Sequence, residues 1–574
     1  MADSDRELKE SNGNQETSQC KEEVLSRADQ KPNFKRGPRF WAIISTLCVI
    51  GLLSALENTV VTTSLPYIVN ELDLGRDYIW VTNVFFLTSA AVQPMFGQFA
   101  NIFGRRYVTL AIVALFTIGS AIAGGASNGA MLIAGRAIQG MGSGGINMIV
   151  DIIVSDLVPL RERGNYMAVV LVVYFVGTAL GPYIGGAIVE STSWRWVFYI
   201  NLPIGGVSMI MIIVFLQVKY NKEMTFAQKI RRIDYIGNAL LIGSTVAVLY
   251  SLTYGGTLYQ WSSGRIIAPL VIGLLGLVAF IGFESLNFVI EPVVPPRLFA
   301  NRTSATVFAV TFLNSALLYW MLYFLPVYFQ TILGSSPARS GVQLLPSIIV
   351  AIPAAIMAVL LLTKFGKYKP LHLAGFALNT IGLGLFTLLD KDSSTAEWVI
   401  FQIIAAGGSG FVLNTLLPAC QTPLAESDQA AATATWSFVR SFGNIWGVAI
   451  PAAIFNSRFA QLSDRIQDSS IAAQFGHGNA YSHASADFLD TFGSNVKLEL
   501  VSVFSDSLKQ VWQISIVFSG VSFLLVFLEK QIEMRKDLET EFGIDEGKKV
   551  GRSQDSAKAG EQNRLARNNT GKAG

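Results

Sequence analysis

Runs of about twenty apolar residues recur over positions 41–528 of this chain, and each is long enough to cross about 30 Å of hydrocarbon as a helix. About fourteen can be read off, near 41–63, 79–100, 107–126, 130–150, 165–189, 196–218, 233–254, 266–288, 305–327, 341–362, 371–389, 398–420, 430–455 and 511–529. Composition agrees. The 574 residues are 51% hydrophobic and 14% charged, against about 25% charged for a soluble domain. The expected fold class is an all-α membrane protein with about 14 transmembrane helices, and its first partner is the lipid bilayer.

The ends and loops set the topology. Residues 1–40 are polar and mixed in charge, too long and hydrophilic for the leader of a cleaved signal, and read as a cytoplasmic disordered tail. Residues 531–574 are rich in Lys, Arg and Glu and read as a second one, so the first helix serves as an uncleaved anchor. Lys31, Lys35, Arg36 and Arg39 precede the first run; Arg105 and Arg106 follow the second, and Arg161 and Arg163 the fourth. Five more bases over 219–232 follow the sixth run, and Lys364, Lys367 and Lys369 follow the tenth. An excess of Lys and Arg marks the cytoplasmic side, which places both termini inside. The inner loop 421–429 departs from this pattern, with Glu426, Asp428 and no base. The net charge of +3 follows loop position and implies no nucleic-acid partner.

Several chemistries are excluded. Of the three cysteines, Cys20 is in the tail and Cys48 and Cys420 lie in or beside membrane runs, so no outer disulfide framework is expected. His477 and His483 sit in the long outer loop 456–510 and read as solvated. The sequence shows no metal-ligand spacing, no phosphate-binding P-loop and no nucleophile–base constellation. The chain is therefore read as no enzyme, with no catalytic residue, no metal and no cofactor. Transport, if that is its work, draws on an ion gradient or runs downhill.

The chain also hints at two related halves. "GMGSGGINMI" (140–149) and "GGSGFVLNTL" (407–416) each carry Gly-Ser-Gly followed by an asparagine, Asn147 and Asn414. The fifth run, "VGTALGPYIGGAI" (176–188), has Gly177, Gly181 and Gly185 four apart, with Pro182 and Gly186. The thirteenth has Gly443 and Gly447 followed by Pro451. If these pairs match, 41–218 and 303–530 are repeated six-helix bundles and 219–302 carries an inner loop and two inserted helices, a transporter architecture. Chance recurrence of glycine in membrane helices is the alternative. Glycines four apart form one bare face that lets another backbone approach closely, and Pro182 adds a kink. Such a helix either packs statically or fits its neighbour in one state and slides in another.

These stretches resemble the major facilitator superfamily, in its fourteen-helix drug:proton antiporter branch. "VGTALGPYIGGAI" resembles the family's antiporter motif, "GQFANIFGRR" (97–106) its loop between the second and third helices, and "GRAIQGMGSGG" (135–145) its fourth-helix motif. "LENTVVTTSLP" (56–66), "WRWVFYINLPIG" (194–205), "RRIDYIGNAL" (231–240) and "FSDSLKQVW" (504–512) resemble its signatures at the first, sixth, seventh and fourteenth helices. The likeness covers about residues 40–530 and is similar in particular to fungal toxin and secondary-metabolite efflux pumps. It implies the major facilitator fold, two six-helix bundles plus two inserted helices, and proton-coupled export by alternating access. It also implies a gating loop built on Gly97, Asn101, Gly104, Arg105 and Arg106. The family usually has aspartate where this chain has Asn101, so its charge latch needs Asp156 to supply the acid. Glu57 stands where aspartate is more usual and keeps the carboxylate.

Ionisable residues inside membrane runs face a cavity or a partner. Glu57 and Arg136 are read as the proton-coupling pair, with a purely structural ion pair as the alternative. Glu284 and Arg440 lie closer to the inner surface and read as headgroup anchors. Trp194 and Trp196 read as interface anchors. Asn83, Gln93, Asn147, Asn314, Trp320, Tyr323 and Asn414 are the substrate-cavity candidates; the aromatic group with Tyr319 and Phe324 either stacks on a flat substrate or packs. The expected partners are a small-molecule substrate and protons, in a monomer. The expected function is proton-coupled efflux of small amphipathic organic compounds across the plasma membrane. The alternatives are a vacuolar or other organellar amino-acid or solute carrier of the same branch, and a membrane solute sensor that moves nothing.

Overall fold

A computed structural model describes residues 37–534 except 73, 75–77, 161, 218–224, 256–258, 287–288, 290, 469–470, 472–474, 476–479, 482–483 and 485. Nearly all of both expected tails, and His477 and His483, lie outside the described residues. The chain divides into two compact units, Met1–Ala42 and Ile43–Gly574. The described part of the first is the beginning of one helix, and the packing below belongs to the second.

Thirteen helices among the described residues are long and apolar enough to span a membrane. The first span is α1, Pro38–Glu71. The second is broken: α2, Tyr78–Ala91, gives way at Val92 to α3, Gln93–Phe103. Pro94 accounts for the break: lacking an N–H it cannot continue the hydrogen-bond ladder of α2, and it sits in the first turn of α3. Hence only Trp80–Ala91 stands as a short apolar helix there, and counting this broken span gives fourteen. Next come α4 (Arg105–Gly124), α5 (Gly129–Leu157) and α6 (Arg163–Ser191). The sixth span joins α7 (Arg195–Tyr199) to α8 (Asn201–Phe215).

A short loop helix, α9 (Phe226–Arg231), precedes the inserted pair α10 (Tyr235–Tyr254) and α11 (Gly264–Glu284). The second half runs α12 (Arg302–Thr331), α13 (Pro337–Phe365), α14 (Lys369–Leu385), α15 (Thr395–Leu413) with α16 (Leu416–Gln421), and α17 (Gln429–Leu462). After a turn of helix, α18 (Ala486–Leu489), the last span is α19 (Ser494–Val526). Polar caps start many of them: Asn128, Asp234, Asn301 and Ser336 each accept an N–H of the first turn, and Ser394 with Glu397 forms a reciprocal capping box.

Helix packing repeats between the halves. In the first, α4 lies on α5, α2 on α5 and α4 on α8; in the second, α14 lies on α15, α13 on α15 and α14 on α19. Each pair in the second set is a pair of the first moved eight spans along the chain. The same rule relates two of the contacts that join the halves, α3 on α17 and α6 on α13, beside which α5 and α2 also touch α17. The inserted helices pack on each other, with α10 also touching α2 and α17.

One boundary differs from expectation. The outer loop read as 456–510 is helical at both ends, leaving 463–493 as connection. Phe455, Phe459 and Leu462 recur at helical spacing and are buried in the core of the second half, which carries α17 past its apolar run.

Candidate functional site

The glycine stretches pack within each half. A Cβ on Gly177 would sit 2.9 Å from the Leu52 side chain and 3.0 Å from Ala55, and one on Gly181 would overlap the Thr59 hydroxyl, all on α1. Thr59 Oγ1 donates back across the crossing to the Thr178 carbonyl at 3.0 Å. In the other half, Gly443 lies against Phe312 and Ser315 and Gly447 against the Ala316 carbonyl, all on α12. Gly185 is buried on the same helix as Gly181, whereas Gly186 faces open space. Pro182 lies within the span of α6, and its side chain is outside the described residues. On α5, Gly135 and Gly142 meet α4 at Ala123 and Phe116, while Gly140 and Gly144 meet α2 at Phe85 and Ser89. On α15, Gly408 meets α14 at Asn379 and Gly410 meets α13 at Ala351.

Those crossings hold a buried charge network in the first half. Arg136 on α5 donates from Nη1 to Glu57 on α1 and, at 2.7 Å, to Gln139, and from Nε to the Val81 carbonyl on α2 at 2.9 Å. Asn201 on α8 donates to the other Glu57 oxygen at 2.5 Å, and Gln139 donates to Ser120 on α4 at 2.7 Å. The Arg136 guanidinium also lies 4.2 Å over the Phe85 ring. Glu57, Gln139 and Asn201 have no exposed surface. A buried ion pair persists only with its remaining hydrogen bonds satisfied, and here five spans supply them. Neither Glu57 nor Arg136 is among the described residues that line the central cavity.

At the α3–α4 end of the spans lies the expected gating loop. Gly104 joins α3 to α4 at φ +86°, a conformation that favours glycine. Arg105 is buried; its Nε donates to Asp156 at 2.7 Å, and its Nη1 donates to the Ala100 carbonyl at 2.7 Å and to Asn101 Oδ1 at 2.9 Å. Asp156, at the end of α5, thus supplies the acid that Asn101 lacks, and Asn101 serves as a neutral acceptor. Arg106 donates to the Ile213 carbonyl at 2.6 Å. Gly97 is where α3 presses on α17: a Cβ there would overlap that of Ala434. Further contacts join the halves at this end. Arg163 donates to Gln421 at 2.7 Å, Gln421 donates to Ser155 at 3.1 Å, and Gly164 abuts Val359.

A cavity of about 570 Å³ lies between the halves. It takes in Asn83, Asn147, Asn314, Tyr323 and Asn414 from the sequence candidates. Tyr319 and Tyr323, one helical turn apart, stack on its wall with centroids 5.9 Å apart. Two candidates sit elsewhere. Trp320 is fully buried and packs on Phe518, 5.5 Å away, because it is rotated about 100° from Tyr319 around α12. Gln93 donates to Ser441 at 3.1 Å, tying α3 to α17.

The membrane charges also need correction. Arg440 lines the cavity and lies 4.6 Å over Trp436, so it is no headgroup anchor. Glu284 is buried, accepts the Val293 N–H at 3.0 Å, and faces Asp234. Trp194 is buried and donates to Glu71 at 2.8 Å, while Trp196 is exposed. Sequence reasoning passed over Asp151, which lines the cavity on α5 near Ser437 and Arg440. It lies one residue beyond the run 130–150, where an acid reads as the start of a loop. Asn58 went unnoticed too; it donates to the Tyr174 hydroxyl at 2.8 Å, and both line the cavity.

Two repeated helix bundles with a large cavity of mixed polar and apolar lining between them, and charged contacts closing one end, define a membrane carrier. The family model described as Major Facilitator Superfamily matches residues 47–448, and the chain belongs to that superfamily. Among its relatives, the MFS-type transporter TwmF of Talaromyces wortmannii is 54% identical over 520 residues, covering 90% of this chain and 94% of that protein. The MFS efflux transporter aclA of Aspergillus oryzae is 43% identical over 520 residues, covering 91% and 94%. The efflux pump FUS6 of Gibberella fujikuroi is 44% identical over 529 residues, covering 92% and 95%. Among solved structures, the human organic anion transporter MFSD10 (TETRAN) superposes with a TM-score of 0.54 at 14% identity, covering 86% of this chain and 100% of that one. A double Trp mutant of XylE gives 0.54 at 14% identity, covering 86% and 97%. Both share the fold.

Proposed function

We propose that this chain exports small amphipathic organic compounds, of the drug, toxin or secondary-metabolite kind, by proton-coupled alternating access. The cavity between the halves carries the reading: at about 570 Å³ it has room for a compact organic molecule. Its walls mix aliphatic side chains with asparagines and tyrosines, a lining suited to an amphipathic guest. Relatives named efflux transporters and pumps support the direction of transport. Proton coupling is assigned to the Glu57–Arg136 pair, whose acid is held by groups from separate spans and is therefore sensitive to their rearrangement. The glycine motif of α6, Gly177 through Gly186 with Pro182, keeps α1 and its acid in register. The latch of Gly97, Asn101, Gly104, Arg105, Arg106 and Asp156 closes the end with the basic loops, read as the cytoplasmic one.

On this reading the protein acts as a monomer in the plasma membrane with both termini inside. Residues 41–218 and 303–530 form the moving halves, with 219–302 inserted and tails over 1–40 and 531–574. The test uses inside-out vesicles containing the full chain, loaded with fluorescent amphipathic dyes under an imposed pH gradient. Dye should accumulate only while the gradient lasts, protons should move in return, and Glu57→Gln should abolish both without lowering the amount inserted. Dye movement indifferent to the gradient, or full activity in Glu57→Gln, would refute the coupling. Dye-independent proton behaviour with tight dye binding and no flux would make the protein a sensor.

A further inference from the structure

Arg440, which is partly exposed, differs from the buried arginines. Arg105, Arg136 and Arg163 are each held by several protein acceptors. Among the described residues Arg440 has no hydrogen bond and no ion pair; its guanidinium rests on the Trp436 ring and opens into the cavity. A guanidinium carries five N–H donors in a rigid fork. Such a fork left unanswered deep in a membrane protein marks a place that a ligand fills.

The surroundings add to this. Arg440 acts electrostatically on Asp151, on the opposite half, yet the two form no ion pair. The Ser437 hydroxyl lies near Asp151 and has no hydrogen-bond partner among the described residues. Arg440 reaches Tyr174 on α6 and Tyr319 on α12 electrostatically. The Tyr174 hydroxyl accepts from Asn58, so its own proton is left to donate. Asn314 and Asn414 each leave one buried side-chain atom without a partner at the cavity wall.

We propose that Arg440 is the anchor for an acidic oxygen group, a carboxylate or an ionised enol, on the transported molecule, and that Asp151 is its resident counter-charge. The inference rests on the export reading and names the substrate class of the same cavity. An oxyanion entering between them takes the guanidinium fork in bidentate fashion and a further bond from Tyr174, while a flat body lies along the stacked Tyr319 and Tyr323. A cation is the poorer guest: it would meet the charge of Arg440, whose five N–H donors find no acceptor among the described residues.

The test compares pyrene-1-carboxylate, pyrene-1-carboxamide and pyrene-1-methylammonium, which share one ring system and differ in charge. Binding to the full chain in phosphatidylcholine nanodiscs is followed by tryptophan-to-pyrene energy transfer near neutral pH, with empty nanodiscs as baseline. The carboxylate should bind at least about tenfold more tightly than the carboxamide, as a charge-assisted hydrogen bond allows. Arg440→Gln should erase that preference, lowering carboxylate binding far more than carboxamide binding, and the carboxamide binding that persists reports an intact cavity. Arg440→Lys should keep part of it, and Asp151→Asn should tighten the carboxylate several-fold without affecting the carboxamide. Should Arg440→Gln bind nothing, Asp151→Asn decides: no tightening overturns the proposal. It is equally overturned if the methylammonium compound binds best, if all three bind alike, or if none binds above baseline. Gradient-driven dye export in the vesicle experiment would still stand in each case, so the two readings fail separately.

Discussion

Gly181→Ala adds one carbon where α6 crosses α1, and the structure fixes what that carbon meets. It overlaps the Thr59 hydroxyl and lies 3.0 Å from Thr59 Cβ and 3.1 Å from the Leu56 carbonyl. The hydroxyl is not free to turn away, because it donates to Thr178 on α6 itself. Losing that bond costs about 1 kcal/mol, and the backbone carbonyl of Leu56 yields only if the helices separate, an overpacking cost of about 1–3 kcal/mol. The packed arrangement should therefore lose about 2–4 kcal/mol, roughly 30- to 800-fold in its population. Glu57 lies between Leu56 and Asn58, so a displaced α1 carries its carboxylate away from Arg136 and Asn201. Transport should fall with stability.

The control is Gly186→Ala, on the same helix, where nothing lies within 4 Å of the new carbon. It makes the same change in helix preference without the collision. Thr59→Ala placed in the Gly181→Ala background should relieve part of the cost, which a double-mutant cycle reads as a coupling of about 1–2 kcal/mol. The assay is transport per inserted molecule at matched expression, with thermal unfolding in detergent alongside. If Gly181→Ala and Gly186→Ala behave alike in both measurements, or if Thr59→Ala brings no relief, close backbone packing at this crossing is not what the glycine supplies.

Gly97→Ala should push α3 from Ala434 and favour opening at the latch end; maleimide labelling of the buried Cys420, in a background with Cys20 and Cys48 replaced by Ser, should speed up, and an unchanged rate counts against it. Asp156→Asn leaves the buried Arg105 without its acid and should cost about 3–5 kcal/mol of stability. Asn101→Asp, whose oxygen would stand where Nη1 already donates, should restore much of it in the double variant, as melting curves would report. At the opposite end, the Arg195 hydrogen bond to Glu71 holds that carboxyl below the usual glutamate range. A depressed carboxyl adds stability above its unfolded value near about pH 4.3 that disappears as pH falls through the folded value. Wild type should therefore melt above Glu71→Gln at neutral pH and converge with it in acid; a gap that widens in acid would contradict the assignment.

The spans were legible because apolar length is a local property that the bilayer itself demands. The Glu57–Arg136 pairing was legible for a related reason: two isolated opposite charges in a membrane core find each other or a cavity. What a single sequence does not carry is which stripe of a helix faces inward. Tyr323 and Trp320 were equal candidates, yet the rotation around α12 that puts Tyr319 and Tyr323 on the cavity puts Trp320 into the core. Depth misled as well. Arg440 was assigned to the inner surface and Asp151 fell beyond a predicted helix end, although α5 and α17 run 29 and 34 residues, about 44 and 51 Å at 1.5 Å per residue. With helices that overrun a bilayer of about 30 Å, the ends of an apolar run do not fix depth, whether for Asp151 just past one run or for Arg440 within another. These two residues break the hydropathy rule from opposite halves and meet at one cavity. A residue that costs the membrane helix its apolar continuity stays where something other than lipid meets it. At Asp151 and Arg440 that something is the other half of the protein and the open space between.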